Sequence, residues 1–202
     1  MDLLQIFTLI TGVIYIIFEI RQKNFMWVVG IATSLAAMWV FFRQGLYASF
    51  GLNTYYFITA FIGLWQWRRN KTALSETSSV GHDTIVLNRL SWKTVIISAV
   101  VTVIGVVALS WGMGCLHDSG LLAENPMSLL DSAVAVLSAV ATWWLVKSYR
   151  EQWWLWIAAD AMSVALCISQ QMWWMAALYV IYIVSAFYGL LHWKKRGVYL
   201  DD

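Results

Sequence analysis

Apolar side chains run through this chain in seven blocks, each long enough, at about 17–25 residues, to cross the hydrocarbon layer of a bilayer as a helix. The blocks fall near residues 3–20, 25–43, 48–67, 93–113, 128–147, 152–169 and 171–193. Charged or polar residues separate them, starting with Arg21-Gln22-Lys23 after the first block. The longest polar stretch, roughly 68–92, reads as a connector; at about 25 residues it is too short to build a core of its own. The first block follows Met1-Asp2 with no basic leader and no small-residue cleavage site, so it is expected to stay as a helix and not to be removed as a signal.

Composition turns this pattern into a class. With 61% hydrophobic residues, 12% charged residues and one proline in 202, the chain is far more apolar than a soluble domain of this length can hide. The expectation is an all-α integral membrane protein with seven transmembrane helices. Sorting the thirteen Lys and Arg onto the two sides that seven crossings create puts twelve on one side and Arg43 alone on the other. The positive-inside bias then places the N-terminus outside and the C-terminus in the cytoplasm, as a multi-pass membrane protein. The formal charge of +2 reflects this sorting and is no argument for binding nucleic acid.

Sliding the chain along itself by 126 residues aligns 27–67 with 153–193 without a gap and gives 11 identities in 41 positions. Trp27 pairs with Trp153, Tyr56 with Tyr182, Gly63 with Gly189 and Trp67 with Trp193. The predicted organisation is a single transmembrane domain over 1–202: repeat one at about 3–67, a linking helix at about 93–113 and repeat two at about 128–193. Corresponding helices lie four crossings apart and so run in the same direction. Such a 3+1+3 arrangement of parallel repeats resembles the sugar carriers of the SWEET type, whose site lies at the midplane between repeats. Fold analogy by itself does not establish transport.

The candidate chemistry sits on helix faces. In helix six, Trp153, Trp156 and Asp160 share one face, with Asp160 near mid-membrane at the repeat position of Ser34. A carboxylate at that depth costs several kcal/mol unless paired, protonated or wetted, which makes it a functional candidate; the alternative is a plain helix–helix hydrogen bond. Helix three contributes Asn53 and Tyr56, and helix seven Tyr179 and Tyr182. Thr11, Ser34, Asp131, Ser138 and Thr142 are candidate pathway-lining residues, Asp131 being either a cap of helix five or part of an outer gate. Glu19, beside Arg21 and Lys23, reads as an interfacial ion pair. Trp27, Trp67, Trp143, Trp144, Trp153, Trp154 and Trp193 map to the inner interface and read as belt anchors. Trp156 lies about one turn deeper. An aromatic face beside a buried carboxylate suits a planar cation, through cation–π attraction, stacking and ion pairing together.

At this point the residues resemble the PnuC vitamin transporters, whose members include nicotinamide riboside carriers and related thiamine carriers. The resemblance covers nearly the whole chain and rests on WVVG at 27–30, GLYA at 45–48, GLWQW at 63–67, Asp131-Ser132 with the following LSAVATWW, WWLWIAAD ending at Asp160, and Leu178, Tyr179, Gly189 and Trp193. It implies a homotrimer with one pathway per protomer, facilitated diffusion without an energy source, and a cytoplasmic vitamin kinase that traps the solute by phosphorylation, with no cofactor. It also implies a midplane site of Asn53, Tyr56, Trp153, Trp156, Asp160, Tyr179 and Tyr182. Riboside carriers of that family have Gln at the position of Asn53 and Asn at that of Asp160. Asn and Gln read a carboxamide with a donor and an acceptor, whereas an ionised Asp only accepts. Nicotinamide riboside stays ahead on the family's commoner assignment, with thiamine as the rival.

Three other classes stay open. A proton-coupled transporter would use Asp160 as its protonation site. An enzyme has less support, because His82, His117 and His192 all lie at membrane edges or in loops and form no haem or metal cluster. A scaffold protein would tolerate Asn at position 160. Cys115 and Cys167 both map toward outer helix ends, so a disulfide between them is conceivable, as is a plain apolar role for each.

Overall fold

The structure is a computed structural model that describes residues 3–43, 47–77, 84–120 and 127–200. Seven helices and two short strands occur among these residues: α1 (Leu3–Ile20), α2 (Phe25–Arg43), α3 (Tyr47–Thr77), β1 (Ile85–Leu87), α4 (Trp92–Asp118), α5 (Ser128–Val146), α6 (Gln152–Ser169), α7 (Trp173–Arg196) and β2 (Gly197–Tyr199). Every apolar block is a helix, and most boundaries agree with the sequence reading to within two residues. Among the described residues α4, α5 and α7 are each long and apolar enough to cross a membrane, and Phe25–Trp39 is a shorter apolar helix.

The connector departs from expectation. Its first part prolongs α3 to 31 residues, about 46 Å of helix, which exceeds the roughly 30 Å hydrocarbon layer. Its last part contains β1, which pairs in parallel with β2, Val86 opposite Val198. After β1, Ser91 caps α4, its side chain accepting from the Thr94 N–H. No residue of α4 is buried, so its Val and Ile side chains are free to meet lipid.

The chain forms two compact units. The first comprises Met1–Arg89, Trp143–Arg150 and Leu191–Asp202; the second comprises Leu90–Thr142 and Glu151–Leu190.

In the first unit the ends of α1 and α5 carry the same turn, offset by 126 residues. The Gln22 N–H bonds to Glu19 O and the Lys23 N–H to Phe18 O; the Ser148 N–H bonds to Leu145 O and the Tyr149 N–H to Trp144 O. This is the Schellman pattern, and it needs a left-handed residue, here Gln22 (φ 47°) and Ser148 (φ 57°) in place of the usual glycine. In the second unit Gln171 (φ 58°) ends α6 likewise.

The tryptophans correct the belt reading. Trp27, Trp67, Trp153 and Trp193 are at most 1% exposed and Trp144 is also buried, whereas Trp143 and Trp154 do face outward. The reason is a glycine notch in each unit. A methyl group on Gly63 would lie 2.5–2.7 Å from Trp27 ring atoms, and one on Gly189 would lie 2.6–2.8 Å from Trp153 ring atoms. Each indole therefore occupies space that any Cβ would take. The Trp67 Nε1–H donates to Leu145 O (3.1 Å), which also accepts from the Ser148 N–H, and the Trp193 Nε1–H donates to Ile20 O (2.9 Å), a carbonyl that the helix end leaves open. Three exposed tryptophans instead carry a cation one turn on: Arg43 over Trp39, Arg69 over Trp65 and Lys147 over Trp143, at 5.9, 5.4 and 5.1 Å from the ring centroids.

Candidate functional site

Helix α6 presents Trp153, Trp156, Asp160, Ser163 and Cys167 along one stripe, because steps of three and four residues return to the same side of a helix. Asp160 is only 7% exposed. Tyr179 and Tyr182 of α7 both lie near enough to interact with it electrostatically. Their rings meet edge to face at 6.0 Å, one turn apart on α7. The Tyr179 hydroxyl is within hydrogen-bond reach of Ser163, whose own hydroxyl donates to Ala159 O at 2.9 Å. The second unit thus brings together Asp160, Tyr179 and Tyr182, three of the residues singled out from sequence.

Trp156 and Trp153 differ. The Trp156 indole N–H is buried with no hydrogen-bond partner, a donor that costs about 1–3 kcal/mol if left unmet. Trp153 is 1% exposed, its ring filling the notch at Gly189, so it packs α6 against α7.

In the first unit Asn53 and Tyr56 lie half-buried on α3, and Tyr55 and Tyr56 have ring centroids 5.6 Å apart. Tyr15 of α1 is near enough to Glu19 and Tyr56 to interact with both. Glu19 is buried at the end of α1, where the Schellman turn after Ile20 reverses the chain.

The pathway candidates separate into kinds. Ser34 is buried and donates to Gly30 O at 2.6 Å, and Thr142 donates to Ser138 O at 2.8 Å, so both hydroxyls are satisfied within their own helices. Asp131 is exposed in the first turn of α5, where a carboxylate complements the helix dipole. The side chain of Thr11 lies outside the described residues, as do Gly45 and Leu46 of the GLYA motif. Cys115 and Cys167 are both free thiols.

Ser163 and Ser132 were not singled out as site residues from the sequence, and Tyr15 was read only as part of the polar face of helix one. Ser163 was legible, three residues after Asp160 on the same face. Tyr15 shares a stripe with Glu19, and only the fold brings it to Tyr56. Ser132 is fully buried and its hydroxyl lacks a partner, which no pattern of neighbours announces.

Comparison with known proteins adds an independent line. A family model described as "Nicotinamide mononucleotide transporter" matches residues 2–195. The chain is 25% identical over 201 residues to the nicotinamide riboside transporter PnuC of Neisseria mucosa, covering 92% of this chain and 70% of that protein. It is 27% identical over 174 residues to the protein of the same name from Escherichia coli, covering 78% and 72%. A crystal structure of the vitamin B3 transporter PnuC superposes with a TM-score of 0.63 at 23% identity, covering 93% of this chain and 79% of that one, which is a likeness of fold.

Proposed function

The chain belongs to the nicotinamide mononucleotide transporter family, a family of multi-pass inner-membrane transporters and not of enzymes, and from that premise we propose that it takes up nicotinamide riboside. The observation that carries the reading is the buried carboxylate of Asp160, flanked by Tyr179 and Tyr182, with the unpartnered Trp156 indole N–H one turn away along α6. An apolar, aromatic wall with a single negative charge suits a small aromatic cation, because desolvation that weakens a lone charge is offset by cation–π attraction and ion pairing. The free indole donor supplies one directed hydrogen bond for orientation.

In this reading Asp160, Trp156, Tyr179 and Tyr182 contact the solute, and Trp153 holds α6 in place. The turn shared by Gln22 and Ser148 and the notch shared by Gly63 and Gly189, each offset by 126 residues, support two parallel repeats joined by α4. Transport is facilitated diffusion, with a cytoplasmic kinase trapping the arriving vitamin, and the protein works as a homotrimer with its C-terminus inside. Charge sorting supports that orientation: the stretches that hold the twelve cations include the ends of α1 and α5, β1 and β2, and these are hydrogen-bonded to one another.

One observation favours a second solute. Asp160 only accepts hydrogen bonds when ionised, which fits the amino group and azolium charge of thiamine better than a carboxamide. Calorimetric titration of the purified protein with each vitamin, followed by uptake into vesicles lacking any kinase, decides between them. Riboside binding with downhill uptake insensitive to an uncoupler supports the proposal. Thiamine binding alone reassigns the solute, and uptake abolished by an uncoupler makes Asp160 a proton site.

A further inference from the structure

Strand β1 is three residues long, yet all three are buried and both of its edges are used. On one edge it pairs with β2, the segment that follows α7, and the Leu200 N–H bonds to Leu87 O at 3.0 Å. On the other edge it meets the ends of two helices. The side-chain amide of Gln22, just past α1, clasps Val86 as a neighbouring strand would: Nε2 donates to Val86 O and Oε1 accepts from the Val86 N–H, both at 2.8 Å. Two residues on, the Asn88 N–H bonds to Ser148 O at 3.2 Å, and Asn88 Nδ2 donates to Lys147 O at 2.7 Å, both just past α5. Gln22 and Ser148 also touch each other, Nε2 to Oγ at 3.3 Å.

The two left-handed residues that end α1 and α5 thus stand side by side, and a strand from the connector lies across both. We infer that β1 is a latch: it holds the ends of α1 and α5 together and releases one of them each time the solute path opens on that side. The inference rests on the carrier function proposed above, since a carrier with its site between two repeats opens one side by parting their ends. The geometry suits a device that opens and recloses. The bonds to each helix end are few and local. Release of Val86 exposes two backbone groups that water satisfies at once. The tether to β2 keeps the strand in place for rebinding. Gly197 makes that tether possible, because a Cβ there would overlap Leu87 and the Trp193 carbonyl.

The test places a reporter under the latch. Val86 is 2% exposed and uses only its backbone, so Val86→Cys, in a Cys115→Ala/Cys167→Ala background, keeps every latch bond. The full-length protein in lipid nanodiscs is treated with a polar maleimide, without solute and then with saturating nicotinamide riboside or thiamine. A latch predicts labelling in the folded state and about tenfold faster labelling when Gln22→Ala is added, the effect of one to two lost hydrogen bonds on an opening equilibrium. Equal protection with and without Gln22→Ala, released only by denaturation, would overturn it. Ile85→Cys, also buried, is the reporter if Val86→Cys does not elute as a folded protein. Labelling without solute decides the latch, while vesicle uptake of the two vitamins decides the carrier reading, so either can fail alone.

Discussion

Replacing Gly189 by Ala tests whether the tryptophan–glycine notch holds α6 against α7. The added methyl would meet three Trp153 ring atoms at 2.6, 2.6 and 2.8 Å, about 1 Å inside ordinary carbon contact. A flexible side chain would swing away at little cost, but an indole is rigid and Trp153 is 1% exposed, so the ring and the helix must move together. Overpacking of this kind costs about 1–3 kcal/mol. Gly51→Ala is the control, because nothing lies within 4 Å of its Cβ position. Thermal unfolding in detergent, followed by loss of the monodisperse elution peak, should show Gly189→Ala well below both the parent and Gly51→Ala. Adding Trp153→Leu should recover part of the loss by vacating the notch. Equal stability of Gly189→Ala and Gly51→Ala would refute the reasoning, since the ring would then be free to yield.

Four further outcomes follow from the same contacts. Trp193→Phe removes the donor to Ile20 O and leaves a buried carbonyl unmet, which should cost about 1–3 kcal/mol by the same thermal assay, whereas Trp67→Phe should cost less, because Leu145 O also accepts from the Ser148 N–H. Trp156→Ala should weaken solute binding by roughly 1–2 kcal/mol in a calorimetric titration, and unchanged affinity would remove Trp156 from the site. Asp160→Asn should weaken thiamine by about 1.5–3 kcal/mol, the worth of a hydrogen bond to a charged group, while sparing nicotinamide riboside. Lys71, beyond the apolar part of α3, donates to Gln22 O at 2.6 Å, and burial, with Lys23 nearby, pushes its pKa below the ordinary 10.5. The unfolded chain then binds more protons than the folded one between the lowered value and 10.5, so stability rises with pH across that window. Melting temperatures measured up to pH 10.5 should show this rise in the parent and lose it in Lys71→Arg, whose guanidinium stays charged.

The helices were legible because a bilayer imposes one requirement, a long apolar run, that neighbouring residues meet without reference to the rest of the chain. The stripe of Trp153, Trp156 and Asp160 was legible for the same local reason, a helical period. The two strands were not: IVL in a polar connector and GVY after a basic helix end carry no signal by themselves, and each becomes a strand only by meeting the other. The tryptophans show the same limit. Trp143 and Trp144 are adjacent in sequence and equal in depth, yet one faces outward and the other is buried.

Sequence alone determined that this chain is a helical membrane protein and that a carboxylate shares one helix face with two tryptophans. Those properties follow from transfer free energies and helical periodicity, which act residue by residue. Tertiary structure alone decided which tryptophans fill glycine notches, that Asp160 lies beside Tyr179 and Tyr182, and that β1 joins the ends of α1 and α5. Each of these depends on contacts between distant segments, and the orphaned backbone groups at helix ends accept partners from anywhere in the chain that the fold brings near.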